Sequence, residues 1–197
     1  MEKFTVHTGQ AAPLRAGDVD TDQIIPVRFL TRLTKSGYGR DLFADWREDP
    51  EFVLNVEPYS AATILVAGPN FGTGSSREGA VYALTDYGFR AVIAPRFGDI
   101  FAGNAHQNGL LPVVVPIQVV ERLWHLLESD PAAPITVDLV EQRVRAEGVD
   151  EPFPVDPDVR HRLLEGLDDI GLTLQHTDDI ATYETTRRPA LPATTRR

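Results

Sequence analysis

One stretch of this 197-residue chain combines residue types that can do chemistry at a spacing that brings them together: Gly68-Pro69-Asn70-Phe71-Gly72-Thr73-Gly74-Ser75-Ser76-Arg77-Glu78. Glycines at 68, 72 and 74 let the backbone come close to a ligand. Ala80, Leu84 and Tyr87 then recur at helical spacing as far as Gly88, so the loop runs into a helix. The first amides of a helix lack intrahelical partners and sit at its positive dipole end, which favours an anion. Arg77 adds a permanent cation whose planar fork matches a carboxylate.

The nucleotide-binding loops nearest to this pattern are excluded. Gly72-Thr73-Gly74-Ser75-Ser76-Arg77 has no third glycine for a dinucleotide loop and no lysine before a serine for a phosphate-binding loop. Residue types by themselves favour a plainer account. Ser75 and Glu78 stand at capping-box spacing, so Ser75 would begin the helix and exchange side-chain-to-amide bonds with Glu78. The two accounts are compatible, because a capped helix start can also present a serine and an arginine to a ligand.

The elements that must position this loop read as α/β. Ala62–Ala67, Ala91–Ala94 and Leu110–Val115 are short β-branched-rich runs, separated by helical patterns over Ala80–Tyr87 and Asp99–Gln107. Ile117, Val120, Trp124 and Leu127 predict an amphipathic helix, and Ile135–Leu139 with Val144–Ala146 a hairpin. Asp156-Pro157 opens a last helix whose buried stripe would be Leu163, Leu167 and Ile170. At the front, Lys3–Leu14 reads as a short strand and a turn. Asp18–Pro26 reads as an acidic loop running into a short apolar element, and Arg28–Arg40 as a mobile loop. These elements make one domain over 1–186, with residues 187–197 a disordered tail holding four arginines and no acid.

Composition narrows the function. A net charge of −10 repels a polyanion, which argues against nucleic acid as partner. No apolar run reaches the ~20 residues that span a bilayer and no signal-peptide core follows Met1, so the expected location is cytoplasmic and no membrane partner is expected. The chain has no cysteine, so it forms no disulfide, offers no thiol nucleophile and can hold no thiolate-ligated zinc or iron–sulfur site alone. Its five histidines are scattered without metal-motif spacing, and no metal site is expected.

With those residues in view, the chain resembles the small subunits of the 3-isopropylmalate dehydratase family, which correspond to the swivelling domain of aconitase-type enzymes. The resemblance runs through Phe4–Gly9, Val19-Asp20-Thr21-Asp22-Gln23-Ile24-Ile25-Pro26, Asp41–Phe43, Asn70–Gly72, Gly74-Ser75-Ser76-Arg77-Glu78, Asp86–Phe89, Ile93–Phe101, Asn108–Pro112 and Gly166–Leu174. It implies a β/β/α swivel domain with a mixed sheet or barrel-like core and flanking helices. It implies a hydro-lyase of leucine biosynthesis that interconverts 2-isopropylmalate and 3-isopropylmalate through a bound alkene, working as a heterodimer with a large subunit. That partner would carry a 4Fe-4S cluster whose iron acts as a Lewis acid on the leaving hydroxyl, leaving this chain with no cofactor of its own.

Carried over by position, Ser75 matches the general base on the substrate C–H and Arg77 the carboxylate anchor, with Ser76 between them as a further substrate contact. Arg28, Phe29, Leu30 and Arg32 match the region facing the variable side chain of the small dicarboxylate substrate. Asp20, Thr21, Asp22, Gly72 and Gly74 match the supporting loops. One position departs from the family: Gly79 stands where the motif usually continues with histidine. This leaves open a paralogous hydro-lyase acting on another 2-hydroxy diacid, of homoaconitate or methylmalate type. A non-catalytic anion-binding module is the alternative of a different class.

Overall fold

The structure, a computed structural model, describes residues 1–31 and 36–187. Its strands are β1 (Val6–Leu14), β2 (Ile64–Ala67), β3 (Ala91–Ala94), β4 (Leu111–Val114), β5 (Pro134–Asp138), β6 (Arg143–Ala146) and β7 (Val149–Pro152). They form one mixed sheet in the order β4-β3-β2-β1-β5-β6-β7. The helices are α1 (Thr21–Ile24), α2 (Glu78–Tyr87), α3 (Asp99–Gln107), α4 (Ile117–Ser129), α5 (Pro157–Glu165), α6 (Asp169–Leu174) and α7 (Thr177–Thr186).

β1 is the pivot of the sheet. Its first half, Val6–Gln10, pairs antiparallel with β5, while Ala11–Leu14 pair parallel with β2. β2, β3 and β4 continue in parallel because α2 and α3 carry the chain back between them. On the other side β5, β6 and β7 form an antiparallel meander. The result is the expected α/β architecture: a curled mixed sheet with flanking helices.

The parallel strands read as unbroken apolar runs because both of their faces are covered. Leu65, Ala67, Val92 and Ala94 face a core shared with α2, α3 and the segment before β2. Ile64, Val66, Ala91 and Ile93 face a second core built on α4, α5 and the meander. Within it the buried Trp124 of α4 donates its indole N–H to the Val66 carbonyl at 2.8 Å. No helix among the described residues is long and apolar enough to cross a membrane.

Several expectations need correction, the first at Lys3–Leu14, read as a short strand and a turn, where Val6–Leu14 form a single strand of 9 residues. β7 extends the predicted hairpin to three strands, with Arg143 reaching across to Asp150 at 2.6 Å. The stripe through Leu163, Leu167 and Ile170 does not exist, because α5 stops at Gly166 in the left-handed region and Asp168 caps a new helix. Leu163 is buried, but Ile170 is 72% exposed. The segment from Pro26 to β2, read as loop at its start, carries five 3₁₀ turns among its described residues, the first at Val27–Phe29. Residues 188–197, most of the expected tail, lie outside the described residues.

Because β1, β2 and β3 run parallel, the segments leaving their carboxyl ends emerge on one edge of the sheet. Ligands of open α/β sheets bind at such an edge. The segments are residues 15–20, 68–77 and 95–98.

Candidate active site

The glycine-rich loop lies between the other two segments. On one side Gly72 donates its amide to the Val19 carbonyl at 2.7 Å and Thr21 donates to the Thr73 carbonyl at 3.1 Å. On the other, Phe71 donates to the Arg96 carbonyl at 3.0 Å and receives a bond from the Gly98 amide at 2.9 Å. Both contacts form short parallel bridges, Asp20 to Thr73 and Phe71 to Phe97. The loop is thus held as an extra strand segment, with Phe71, Phe97 and Phe101 packed beneath it at ring separations of 5.4 to 6.2 Å.

That packing gives Gly72 a measurable role. Its φ is +73°, and a Cβ there would overlap Phe101 Cγ and come within 2.7 Å of the Phe101 Cβ and Cδ2. The conformation costs an L-residue ~1–2 kcal/mol and the overlap ~1–3 more. Gly72→Ala is therefore expected to lower the unfolding free energy by about 2–5 kcal/mol in urea titration of the chain. Gly103 in α3 has open space around its Cα, so Gly103→Ala should raise stability instead, by up to ~1 kcal/mol.

Three consecutive residues of the Asp20–Asp22 segment meet the end of the loop. Asp20 caps α1, accepting from the Gln23 amide at 2.8 Å while Gln23 Oε1 accepts from the Asp20 amide at 2.8 Å, and its Cβ lies beside Gly74. Thr21 donates its hydroxyl to the Ser75 carbonyl at 2.9 Å. Asp22 forms an ion pair with Arg77.

The capping box expected at Ser75 and Glu78 does not form. The helix begins at Glu78 with Arg77 at the cap position, and the Arg77 side chain makes no capping bond. The reason is that the loop keeps its own conformation for longer: Gly74 stays at positive φ and Thr21 occupies the Ser75 carbonyl. The amides of Ser75, Ser76 and Arg77 make no hydrogen bond to another described residue, and neither do the Ser75 and Ser76 hydroxyls. Both serines are exposed.

Arg77 is different, with a side chain only 19% exposed. Its Nη1 is buried and lies against the Asp22 carboxylate, the ion-pair partner that holds the guanidinium beside the loop. A guanidinium carries five donors in a planar fork, so one resident carboxylate oxygen leaves N–H groups to bind an arriving carboxylate. Free amides, two hydroxyls and a cation held by a neighbouring acid together suit binding of an anionic group and movement of a proton beside it.

The segment matched to the substrate side chain divides. Leu30 lies over Gly79 at the start of α2. Phe29 packs against the core, and Arg28 stacks on its ring at 4.7 Å while pairing with Asp45. That bond to Asp45 holds the Arg28 guanidinium above its ordinary pKa, so its charge is spoken for locally. Arg32 lies outside the described residues. A separate cavity of about 310 Å³, lined among others by Arg96, Phe97, His106 and Asp156, includes neither Ser75 nor Arg77 in its lining.

Comparison with known proteins fits this geometry. The chain is 60% identical over 194 residues to a protein of Thermobifida fusca named 3-isopropylmalate dehydratase small subunit, covering 98% of this chain and 100% of that one. The chain belongs to the 3-isopropylmalate dehydratase small-subunit family. Small subunits so named from Salinispora tropica and Acidothermus cellulolyticus are 59% and 60% identical, covering 98% and 100% of this chain and 98% and 99% of theirs. The model described as aconitase C-terminal domain matches residues 1–118. The model described as LeuD_N matches 121–157, and the one for the C-terminal domain of the 3-isopropylmalate dehydratase small subunit matches 169–197. A crystal structure of 3-isopropylmalate dehydratase from Methanocaldococcus jannaschii superposes with a TM-score of 0.63 at 27% identity, covering 91% of this chain and 99% of that one. Every residue of the candidate site falls in the aconitase-type match, so it is the part of this dehydratase-family chain shared with the wider superfamily.

Proposed function

We propose that this chain is the small subunit of a two-subunit hydro-lyase that isomerises 2-isopropylmalate and 3-isopropylmalate, acting in leucine biosynthesis. The observation that carries the reading is the joint placement of Ser75 and Arg77: a free hydroxyl on a backbone anchored by Thr21, two residues from a largely buried arginine held in place by Asp22. Arg77 binds one substrate carboxylate. Ser75 takes the proton from the adjacent substrate carbon in dehydration and returns one in rehydration. A serine oxyanion is unfavourable in water, and the free Ser76 and Arg77 amides with the Arg77 charge are the groups placed to stabilise it. Asp20, Thr21, Asp22, Gly72 and Gly74 set the positions of these two side chains.

The residues of this chain do not fit an iron–sulfur cluster. The sequence has no cysteine, and no group of three ligating side chains capable of holding a metal occurs among the described residues. The 4Fe-4S cluster is accordingly assigned to the large subunit, and the site described above is the half that supplies the proton and carboxylate chemistry.

The test is reconstitution. Mixed anaerobically with the cluster-bearing large subunit of the same organism, the chain should convert 2-isopropylmalate, followed by the ultraviolet absorbance of the alkene. A complex that forms but turns over neither isopropylmalate nor related 2-hydroxy diacids would rule the reading out.

A further inference from the structure

Gly79 is the position at which the resemblance leads one to expect histidine, and the structure shows what occupies the space. A Cβ built on Gly79 would overlap Leu30 Cδ2 and lie 3.9 Å from Leu30 Cγ, so the leucine side chain sits directly on the glycine Cα. Leu30 ends the 3₁₀ turn Val27–Phe29, donating its amide to the Val27 carbonyl at 3.0 Å. The other end of the same segment is fastened to the far end of the same helix. Gly37 and Gly39 both donate their amides to Asp86 Oδ2, at 2.9 and 2.8 Å. Leu30 on one side and Gly37 and Gly39 on the other are thus all tied to α2, and the attachment nearest Ser75 and Arg77 is a side chain resting on a glycine.

We propose that Gly79 is a positioning residue: a seat for Leu30 that sets how closely the Val27–Leu30 turn approaches the Ser75–Arg77 loop, and through that spacing selects the size of the substrate's alkyl group. The inference rests on the diacid reading given above. Any side chain at 79 must displace Leu30. Because the overlapping atom is the end of a flexible side chain, the displacement moves the turn's leucine and leaves the helix intact.

The experiment uses the complex with the cluster-bearing large subunit, assayed with 2-isopropylmalate and 2-methylmalate. Gly79→Ala is expected to lower the ratio of kcat/KM for the isopropyl over the methyl diacid by about tenfold or more, the scale set by a methylene or two in a specificity pocket. The change should be carried by KM for the isopropyl diacid. Adding Leu30→Ala to Gly79→Ala removes the displaced side chain and should restore at least part of the ratio, so the two substitutions are strongly non-additive. An unchanged ratio in Gly79→Ala, an equal loss toward both diacids, or additive effects in the double variant would overturn the inference. A wild-type complex inert toward both diacids would instead overturn the hydro-lyase reading, and the inference with it.

Discussion

Ser75→Ala should reduce kcat of the assembled enzyme by about 10³-fold or more while leaving the chain folded. The magnitude follows from the role assigned: loss of a positioned general base costs ~10²–10⁴ in rate, and here no neighbouring side chain can replace it. Ser76 is the nearest hydroxyl, but the bond that anchors the loop backbone is the one between Thr21 and the Ser75 carbonyl, which alanine preserves. The Ser75 hydroxyl makes no hydrogen bond to a described residue and is exposed, so its removal leaves no buried group unpaired. Exposed substitutions of this kind fall within ~0.5 kcal/mol. The thermal midpoint of the isolated chain should accordingly move by no more than ~2 °C. Substrate affinity, which depends on Arg77, should change little. If the variant loses stability and keeps its rate, Ser75 is only part of the loop's architecture and the hydro-lyase assignment must rest on another residue.

How far such a role can be read before any coordinates are known depends on how local the determinants are. β2, β3 and β4 were legible because burial on both faces leaves an uninterrupted apolar run, and α4 because a buried stripe at Val120, Trp124 and Leu127 repeats with the helical turn. β7 was not. Its Asp150 and Glu151 break the apolar pattern, and it pairs because β6 offers a free edge and Arg143 a partner for Asp150.

The capping signals show the same limit at closer range. Ser75 and Glu78 have the right spacing and form no box, while Asp20 and Gln23, in a run read as loop, form one. What decides between them is the tertiary pairing of the two segments, since Thr21 and Thr73 bridge the loop to its neighbour across more than fifty residues. The serine, the arginine and the supporting acids could be named from their resemblance to a family. Their mutual contacts could not, because the Asp22–Arg77 pair and the seat of Leu30 on Gly79 join positions with no spacing in common. The aromatic floor of Phe71, Phe97 and Phe101 was not read from the sequence, because it joins a loop to a helix, and its purpose appears only once Gly72 is seen resting on it.

Arg77→Lys is the second substitution with a large expected effect, and it separates charge from shape. Lysine keeps the cation, so Asp22 retains an ion-pair partner and the fold should lose little; Asp22 is half exposed and such pairs contribute modestly in any case. What lysine loses is the planar fork that can bond a carboxylate through two nitrogens at once. In Arg77 Nη1 lies against Asp22, and the remaining donors of the fork match the substrate carboxylate. Removing a charge-assisted bond of this kind costs ~1.5–3 kcal/mol, and misplacing the diacid relative to Ser75 adds to it. kcat/KM for 2-isopropylmalate is expected to fall by about 10²-fold or more, mostly through KM, with the unfolding midpoint in urea nearly unchanged. Asp22→Asn is the informative companion, because it frees the guanidinium from its resident carboxylate without altering the fork. KM should then stay the same or fall. If it rises as steeply as in Arg77→Lys, the Asp22 pair is what orients the arginine for substrate, and the two residues act as one unit.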